Sequence, residues 1–395
     1  MISVAEARAI MLRHAFPTGA ESVALEAACG RTLFAPVHAV RPQPPFTASM
    51  MDGYAVRSAD TPGRINLIGE AGAGRPLHRA LGAGECARIF TGAPLPDGAD
   101  AVAIQEDVVR TGDTVEAPQT SARANVRPIG MDFAAGATLL PASLQIRPGH
   151  VGVAAAAGAA ILDVARRPRI AILAGGDEIV SPGDPVGPAQ IYDSASFGIA
   201  ALVERWGACA IRRAPLKDDP RAIQDALREA SSEFDLTILI GGASVGDHDF
   251  ARGAIEALGG ELLFQKVAVR PGKPTWFAKC GARAVLGLPG NPVSALVCAH
   301  LLVRPFIDVM LGRDPAESLT TRRALLRKPI TANGPREFYH RARTEVDQDA
   351  RLWATPADDQ DSSLVTVFAA ADALIIRAPN APPAAAGELA DILAI

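Results

Sequence analysis

The sequence predicts a multidomain chain of α/β plus β class. It has a central three-layer α/β domain with a mostly parallel sheet, an all-β insertion domain, a helical/extended linker domain and a small barrel-like C-terminal β domain. Three observations lead there. The chain has 395 residues, and at roughly 100 to 200 residues per domain that length makes two to four folded units. Residues 170–173, 236–240 and 284–288 are continuous apolar runs, the pattern of strands buried on both faces. Between residues 46 and 140, short β-type runs such as 65–68 and 101–104 alternate with Gly and Pro clusters, as small all-β units do.

Composition narrows the class of function. Hydrophobic residues make up 49% and charged residues 21%, enough apolar surface to offset the entropy lost on folding, so global disorder is excluded. Lys plus Arg total 39 against 43 Asp plus Glu, a net charge of -4, which gives no overall cationic field for nucleic acid or an anionic membrane. The five cysteines, Cys29, Cys86, Cys209, Cys280 and Cys298, are odd in number and form no Cys-x-x-Cys pair, so neither a disulfide framework nor a zinc module is expected. The apolar stretch 151–162 falls short of the ~20 residues that span a bilayer and reads as a buried helix. Ser3 and Glu6 form a capping box that opens an amphipathic helix where a signal peptide would be apolar. A cytoplasmic enzyme or binding protein is expected, with no membrane and no nucleic acid as partner.

Each element follows from local chemistry. Residues 1–40 read as helix and then extended chain, ending at the proline-rich stretch 41–45, where missing N–H donors and fixed φ discourage regular structure. The β-rich insertion occupies 41–140. Residues 141–168 return to helix, so 1–40 and 141–168 make one discontinuous domain. The α/β domain spans 169–312, with helices at 194–206, 220–232, 248–258 and 292–311, the last stopped by Gly312. From 320 to 395, short strands alternate with turns and form a C-terminal β domain.

In open α/β sheets ligands sit beyond the carboxyl ends of the strands. The loops there carry the unusual residues. The first, Gly175-Gly176-Asp177-Glu178, sets two carboxylates after two flexible residues; a plain turn accounts for the glycines and leaves Glu178 unexplained. The second, from Gly241 through Gly242, Ser244 and Gly246 to Asp247, His248 and Asp249, runs from strand to helix and can cradle a phosphate, although close packing also selects glycine. Asp247 suits an N-cap, which leaves Asp249 as a candidate Mg2+ ligand. In the third, Leu288 to Ala295, Asn291 can cap and Pro292 occupies the first helical position, a well-made helix start. Of Asp218 and Asp219 before Pro220, Asp219 is assigned the cap and Asp218 is left for a metal or water. Lys266 and Arg270 fall on one face of a strand, with Lys273 in the next turn, a grouping that suits an oxyanion or serves an edge strand. Asp52 and Thr91 lie in insertion loops, where local hydrogen bonds are the usual role. The histidines 14, 38, 78, 150, 248, 300 and 340 have no metal-ligand spacing and read as structural.

The ordered set of segments at 51–55 (Met-Asp-Gly-Tyr-Ala), 90–94 (Phe-Thr-Gly-Ala-Pro), 176–178, 242–246, 270–274 (Arg-Pro-Gly-Lys-Pro) and 288–295 resembles the molybdopterin molybdenumtransferase family. The resemblance runs from Ile2 to the C-terminus and includes 336–338 and 362–364. It implies an elongated four-part homodimer that inserts molybdate into the dithiolene of adenylylated molybdopterin, with Mg2+-dependent loss of AMP, and in that family the cleft forms across the dimer. It further implies that Asp52, Glu178, Asp218 and Asp249 are the acidic residues at the reaction centre, with Glu178, Asp218 and Asp249 on the metal. Lys266, Arg270, Lys273, Arg127 and Ser363 are similar to the family's anion-binding positions. Thr91 and Asp132 lie in its matching insertion loops, and Gly242, Ser244, Gly246, Pro289, Gly290, Asn291 and Ser362 complete the substrate-binding set.

The chain departs from the family where Thr47 and Ala48 replace an acidic residue and an Asn, where Gly176 replaces a common Thr, and where Arg270 replaces a frequent Lys. The alternative to a transferase is a non-catalytic carrier of molybdopterin or finished cofactor for a specific molybdoenzyme. A third reading, pterin adenylylation, predicts ATP consumption. The implied partners are the pterin adenylyltransferase and acceptor molybdoenzymes.

Overall fold

The computed structural model describes residues 1–241 and 250–395. The chain divides into two compact units, one of residues 1–21, 30–34 and 163–395 and the other of residues 22–29 and 35–162.

The larger unit is built on strands β1 (Arg169–Ala174), β2 (Cys209–Arg212), β3 (Leu236–Ile240), β4 (Glu261–Phe264), β5 (Trp276–Cys280) and β6 (Arg283–Leu288). Their order is β2-β1-β3-β6-β5-β4. The four strands from β2 to β6 run parallel, with Ile170 beside Leu236 and Leu236 beside Ala284. β5 and β4 add on antiparallel, an extension carried by the apolar run Trp276-Phe277-Ala278. Because side chains alternate across a strand, one residue set faces each layer. Ile170, Ile172, Ile238 and Leu286 pack with helix α1 (Ala195–Arg205) and with the long helix Pro292–Met310. Ala171, Leu173, Leu239 and Val285 pack with α2 (Pro220–Glu233) and α3 (Phe250–Ala257). The three-layer α/β domain of the sequence reading is therefore present.

The helix Pro292–Met310 is long and apolar enough by composition to cross a membrane, but it is buried in this core. It carries a π-helical segment, Ala299–Val303, and ends where Gly312 adopts φ +72°. At the N-terminus, Ser3 and Glu6 cap the helix Val4–Leu12 reciprocally: Glu6 N–H donates to Ser3 Oγ at 3.1 Å, and Ser3 N–H donates to Glu6 Oε2 at 2.8 Å. The C-terminal strands Thr321–Leu326, Glu337–Val346, Leu352–Pro356, Ala373–Arg377 and Leu389–Ala394 close on themselves, because Ala373–Arg377 pairs with both Leu389–Ala394 and Glu337–Val346. Closure leaves no open edge inside the barrel.

The smaller unit is all-β in its larger part. Its sheet runs Ala101–Ile104, Gly53–Val56, Glu85–Ile89, Gly63–Ala71, Thr114–Ala117, Val109–Thr111.

Two expectations are corrected. Residues 141–168 are not one helix, and 151–162 is not a buried one. The helix is Pro148–Ala157, with only Ala154 and Ala157 buried, and Gly158 ends it at φ +91° by donating to Ala154 and Ala155 carbonyls. A strand, Ile161–Ala165, follows. Likewise 266–270 is not a single strand. Only Val269–Arg270 is extended in a sheet, beside Glu337–Phe338, although Val267 and Val269 are buried and Arg270 faces out as the two-residue period requires.

Candidate active site

Three glycine turns leave the carboxyl ends of β1, β3 and β6 and meet backbone to backbone. Gly175 N–H donates to Ile240 C=O at 2.9 Å, and Gly241 N–H donates to Leu288 C=O at 3.1 Å. Gly241 has φ +80°, and a Cβ there would lie 2.5 Å from the Gly175 carbonyl oxygen. Any side chain at 241 would force these turns apart, so glycine is a requirement of the packing. Above the turns lies a cleft of about 640 Å³ whose lining includes Glu178, Asp218, Pro289, Gly290, Asn291 and Ser363. Six of the sequence-selected positions therefore share one cleft, beyond the carboxyl ends of parallel strands where α/β sheets bind ligands.

Glu178 is exposed, and its carboxylate folds over Gly176, where a Cβ would come within 2.5 Å of Glu178 Oε2. The chain's own glycine is thus what lets Glu178 adopt this position. Asp219 caps α2 by accepting from Arg221 N–H at 2.9 Å. Asp218 is held by its backbone N–H, which donates to Asp177 Oδ1 at 3.3 Å, and its side chain is exposed in the cleft wall.

The capping role expected for Asn291 is corrected. Pro292 does occupy the first helical position, but the Asn291 side chain makes no cap bond. Its Nδ2 donates to Ser362 Oγ at 2.8 Å, tying the cleft loop to the barrel loop that carries Ser363. Ser363 in turn donates by N–H and Oγ to Asp361 Oδ1, which holds the Asp361 carboxyl below the usual carboxylate range.

Lys266, Arg270 and Lys273 are not among the residues lining this cleft, although Pro274 is. The Arg270 guanidinium lies 4.3 Å over the Phe338 ring, a cation–π contact that fixes it on the barrel side. Gly242, Ser244, Gly246, His248 and Asp249 lie outside the described residues. Among the described residues, no group of three or more His, Cys, Asp or Glu side chains is arranged to hold a metal.

In the smaller unit, Asp52 and Thr91 come together across 39 residues rather than making the local bonds expected of loop residues. Thr91 N–H and Oγ1 both donate to Asp52 Oδ1 at 2.8 Å. These bonds hold the Asp52 carboxyl below its ordinary range. The chain folds this way because Ser49 donates to Ala93 and accepts from Gly92, closing the two loops on each other. Gly53 is also required, since a Cβ there would meet the Ala103 carbonyl oxygen at 2.1 Å. Arg127 pairs with Ala48 in a short antiparallel ladder and is exposed; Asp132 is exposed, and its N–H donates to Gln43 C=O.

Comparison with known proteins is consistent along the whole chain. The family descriptions "MoeA N-terminal region (domain I and II)", "Probable molybdopterin binding domain" and "MoeA C-terminal region (domain IV)" match residues 2–158, 171–309 and 323–395. A molybdopterin molybdenumtransferase of Haemophilus influenzae is 32% identical over 99% of this chain and 98% of its own length. One of Bacillus subtilis is 34% identical over 90% of this chain and 85% of its own. A crystal structure of the molybdopterin biosynthesis MoeA protein from Pyrococcus horikoshii superimposes with a TM-score of 0.88 at 29% identity, covering 100% of this chain and 99% of that one. The chain belongs to the molybdopterin molybdenumtransferase family.

Within this family member, two residues of interest escaped the sequence reading. Asp193 is buried, lines the cleft and accepts from Ser196 N–H at 3.0 Å. Its place after the short strand Ile191–Tyr192 has no distinctive motif, so nothing in spacing singled it out. Arg341 is fully buried in the barrel and donates through Nη2 to the Asp361 carbonyl, while its Nε and Nη1 have no hydrogen-bond partner among the described residues. Burial lowers its pKa to about 10, with acidic Asp359 and Asp361 opposing that shift.

The structural reading of His300 and His340 fits: burial drives their pKa down to about 3 and about 4, so both are neutral at ordinary pH. The five cysteines are free.

Proposed function

We propose that this chain inserts molybdate into the dithiolene of adenylylated molybdopterin and releases AMP, as the family name and the resemblance of its motifs suggest. The observation that supports this most is the cleft, where glycine turns, the carboxylates of Glu178, Asp193 and Asp218, and hydroxyl and amide groups meet beyond the parallel strands. Backbone N–H groups at such turns favour phosphate oxygens. Glu178 and Asp218 fit a Mg2+ ion, because they are hard oxygen donors in an open cleft and this ion takes one or two carboxylates, substrate phosphates and water. When bound, the ion would neutralise charge on the phosphoanhydride. Asp249 is the third ligand of this reading.

The residues of the chain position and stabilise charge and form no covalent intermediate. Gly242, Ser244, Gly246, Pro289, Gly290 and Asn291 cradle the terminal phosphate of the pterin. Lys266, Arg270, Lys273, Arg127 and Ser363 receive anionic oxygens, lysine as point charge and arginine as fork. The parts assigned to Asp52, Thr91, Arg127 and Asp132 rest on the resemblance. So does the homodimer, whereas the cytoplasmic location and the division into domains at 1–40 with 141–168, 41–140, 169–312 and 320–395 rest on the sequence pattern. Purified protein supplied with adenylylated molybdopterin, Mg2+ and molybdate is expected to release one AMP per pterin. Pterin binding without AMP release would favour a carrier.

A further inference from the structure

Asp52 is enclosed by a ring of hydrogen bonds that runs through one cation, Arg88. The Asp52 carbonyl accepts from Gln105 N–H at 3.1 Å. The Gln105 side-chain oxygen accepts from Arg88 Nη2, and Arg88 Nη1 donates to the carbonyl of Gly53 at 2.9 Å. The ring thus closes on the residue next to Asp52. Two aromatic faces fix the plane of the guanidinium, with Tyr54 at 5.3 Å and Phe90 at 4.7 Å from its central carbon. Phe90 is followed by Thr91, whose N–H and hydroxyl both grip Asp52 Oδ1. Arg88 therefore contacts the turn that carries the carboxylate and the ring next to its two donors.

We propose that Arg88 is a positioning residue for Asp52, setting the distance between the Asp52–Gly53 turn and the Phe90–Thr91 turn so that the carboxylate presents Oδ2 to the substrate. The proposal rests on the reaction proposed above. A flexible lysine could replace only part of what the forked guanidinium does, since the fork spans two acceptors in one plane while stacked on rings. Gln105 is the second member of the device and is exposed, so it can be altered without opening the core.

The test compares Arg88→Met, Arg88→Lys and Gln105→Ala in the full-length protein. Arg88→Met is expected to lower kcat of AMP release by roughly tenfold to a hundredfold, as for a small misplacement of a reacting group, with KM for adenylylated molybdopterin changed less than about twofold. Arg88→Lys should recover part of that loss, and Gln105→Ala should show a smaller loss of the same kind. A crystal structure of Arg88→Met should show Asp52 Oδ1 without one or both of its Thr91 bonds. Unchanged kcat in folded variants, equal changes in kcat and KM, or an intact Asp52–Thr91 pair would each overturn the role. Should Arg88→Met fail to fold, Gln105→Ala decides by the same readings. A wild-type protein that releases no AMP would count against the reaction, and the Asp52 geometry in the variant would still decide the role of Arg88.

Discussion

Asn291 and Ser362 are joined across 71 residues by a 2.8 Å bond from the amide Nδ2 to the hydroxyl Oγ. The Ser362 carbonyl also accepts from Val293 N–H at 3.1 Å. A loop of the C-terminal barrel is thereby fastened to the start of the helix Pro292–Met310, and Ser363 is brought to the cleft wall.

Asn291→Ala is expected to cost about 1 kcal/mol of stability or less, since the bond is exposed to water. AMP release should fall roughly tenfold, because the loop that presents Ser363 is no longer fixed. Thermal unfolding and steady-state kinetics on the same sample separate the two effects. A loss of activity no larger than the loss of folded protein would contradict the positioning role.

Thr91→Val removes one of the two donors that keep the Asp52 carboxyl ionised at low pH. The sign follows from the direction of the shift. A lowered pKa keeps the carboxylate charged as pH falls, so losing a donor raises that pKa and moves the acid limb of the AMP-release profile to higher pH. An acid limb that stays in place would show that Asp52 does not govern it.

Glu178→Gln and Asp218→Asn replace hard anionic donors with neutral amides of the same shape. Each is expected to reduce AMP release by roughly a hundredfold and to raise the Mg2+ concentration needed, while pterin binding changes little. Titrating Mg2+ against AMP release, with pterin binding measured by fluorescence, checks both. Equal losses of binding and turnover would argue against metal-linked roles.

Asp235 is a structural carboxylate at the opposite end of the sheet. It accepts from both terminal nitrogens of Arg166, from Arg283 and from Arg169 N–H. Burial pushes its pKa up, but these four donors outweigh that and leave it lowered. Its stabilising effect is therefore present above the unfolded carboxylate range and is lost as pH falls through the folded value. Asp235→Asn should cost about 2 kcal/mol at pH 7, discounted for the partial exposure of both arginines. The difference from wild type should vanish toward pH 2 in denaturant titrations.

The architecture was largely legible because the stretches 170–173, 236–240 and 284–288 are buried on both faces and read as unbroken apolar runs. Helix limits followed from chemistry that acts locally, as at Asp219, Pro292 and Gly312. What stayed hidden depends on distant partners. Asn291 looked like a cap because its sequence neighbours fit one, and only the fold supplies Ser362 as the partner its side chain bonds instead. The 151–162 run looked like a buried helix because periodicity does not reveal that Gly158 adopts φ +91° and turns the chain into a strand. In the site, Glu178 and Asn291 were found through strand-end position and Asp218 as the carboxylate left over at a helix start, whereas Asp193 and Arg341 lie in segments without a motif.

The most direct test is a crystal structure of the protein with adenylylated molybdopterin and Mn2+ in place of Mg2+. The anomalous peak is expected between Glu178 and Asp218, with the pterin phosphate against Gly241, Gly290 and Asn291. A ligand or metal ion bound away from that cleft would contradict the account.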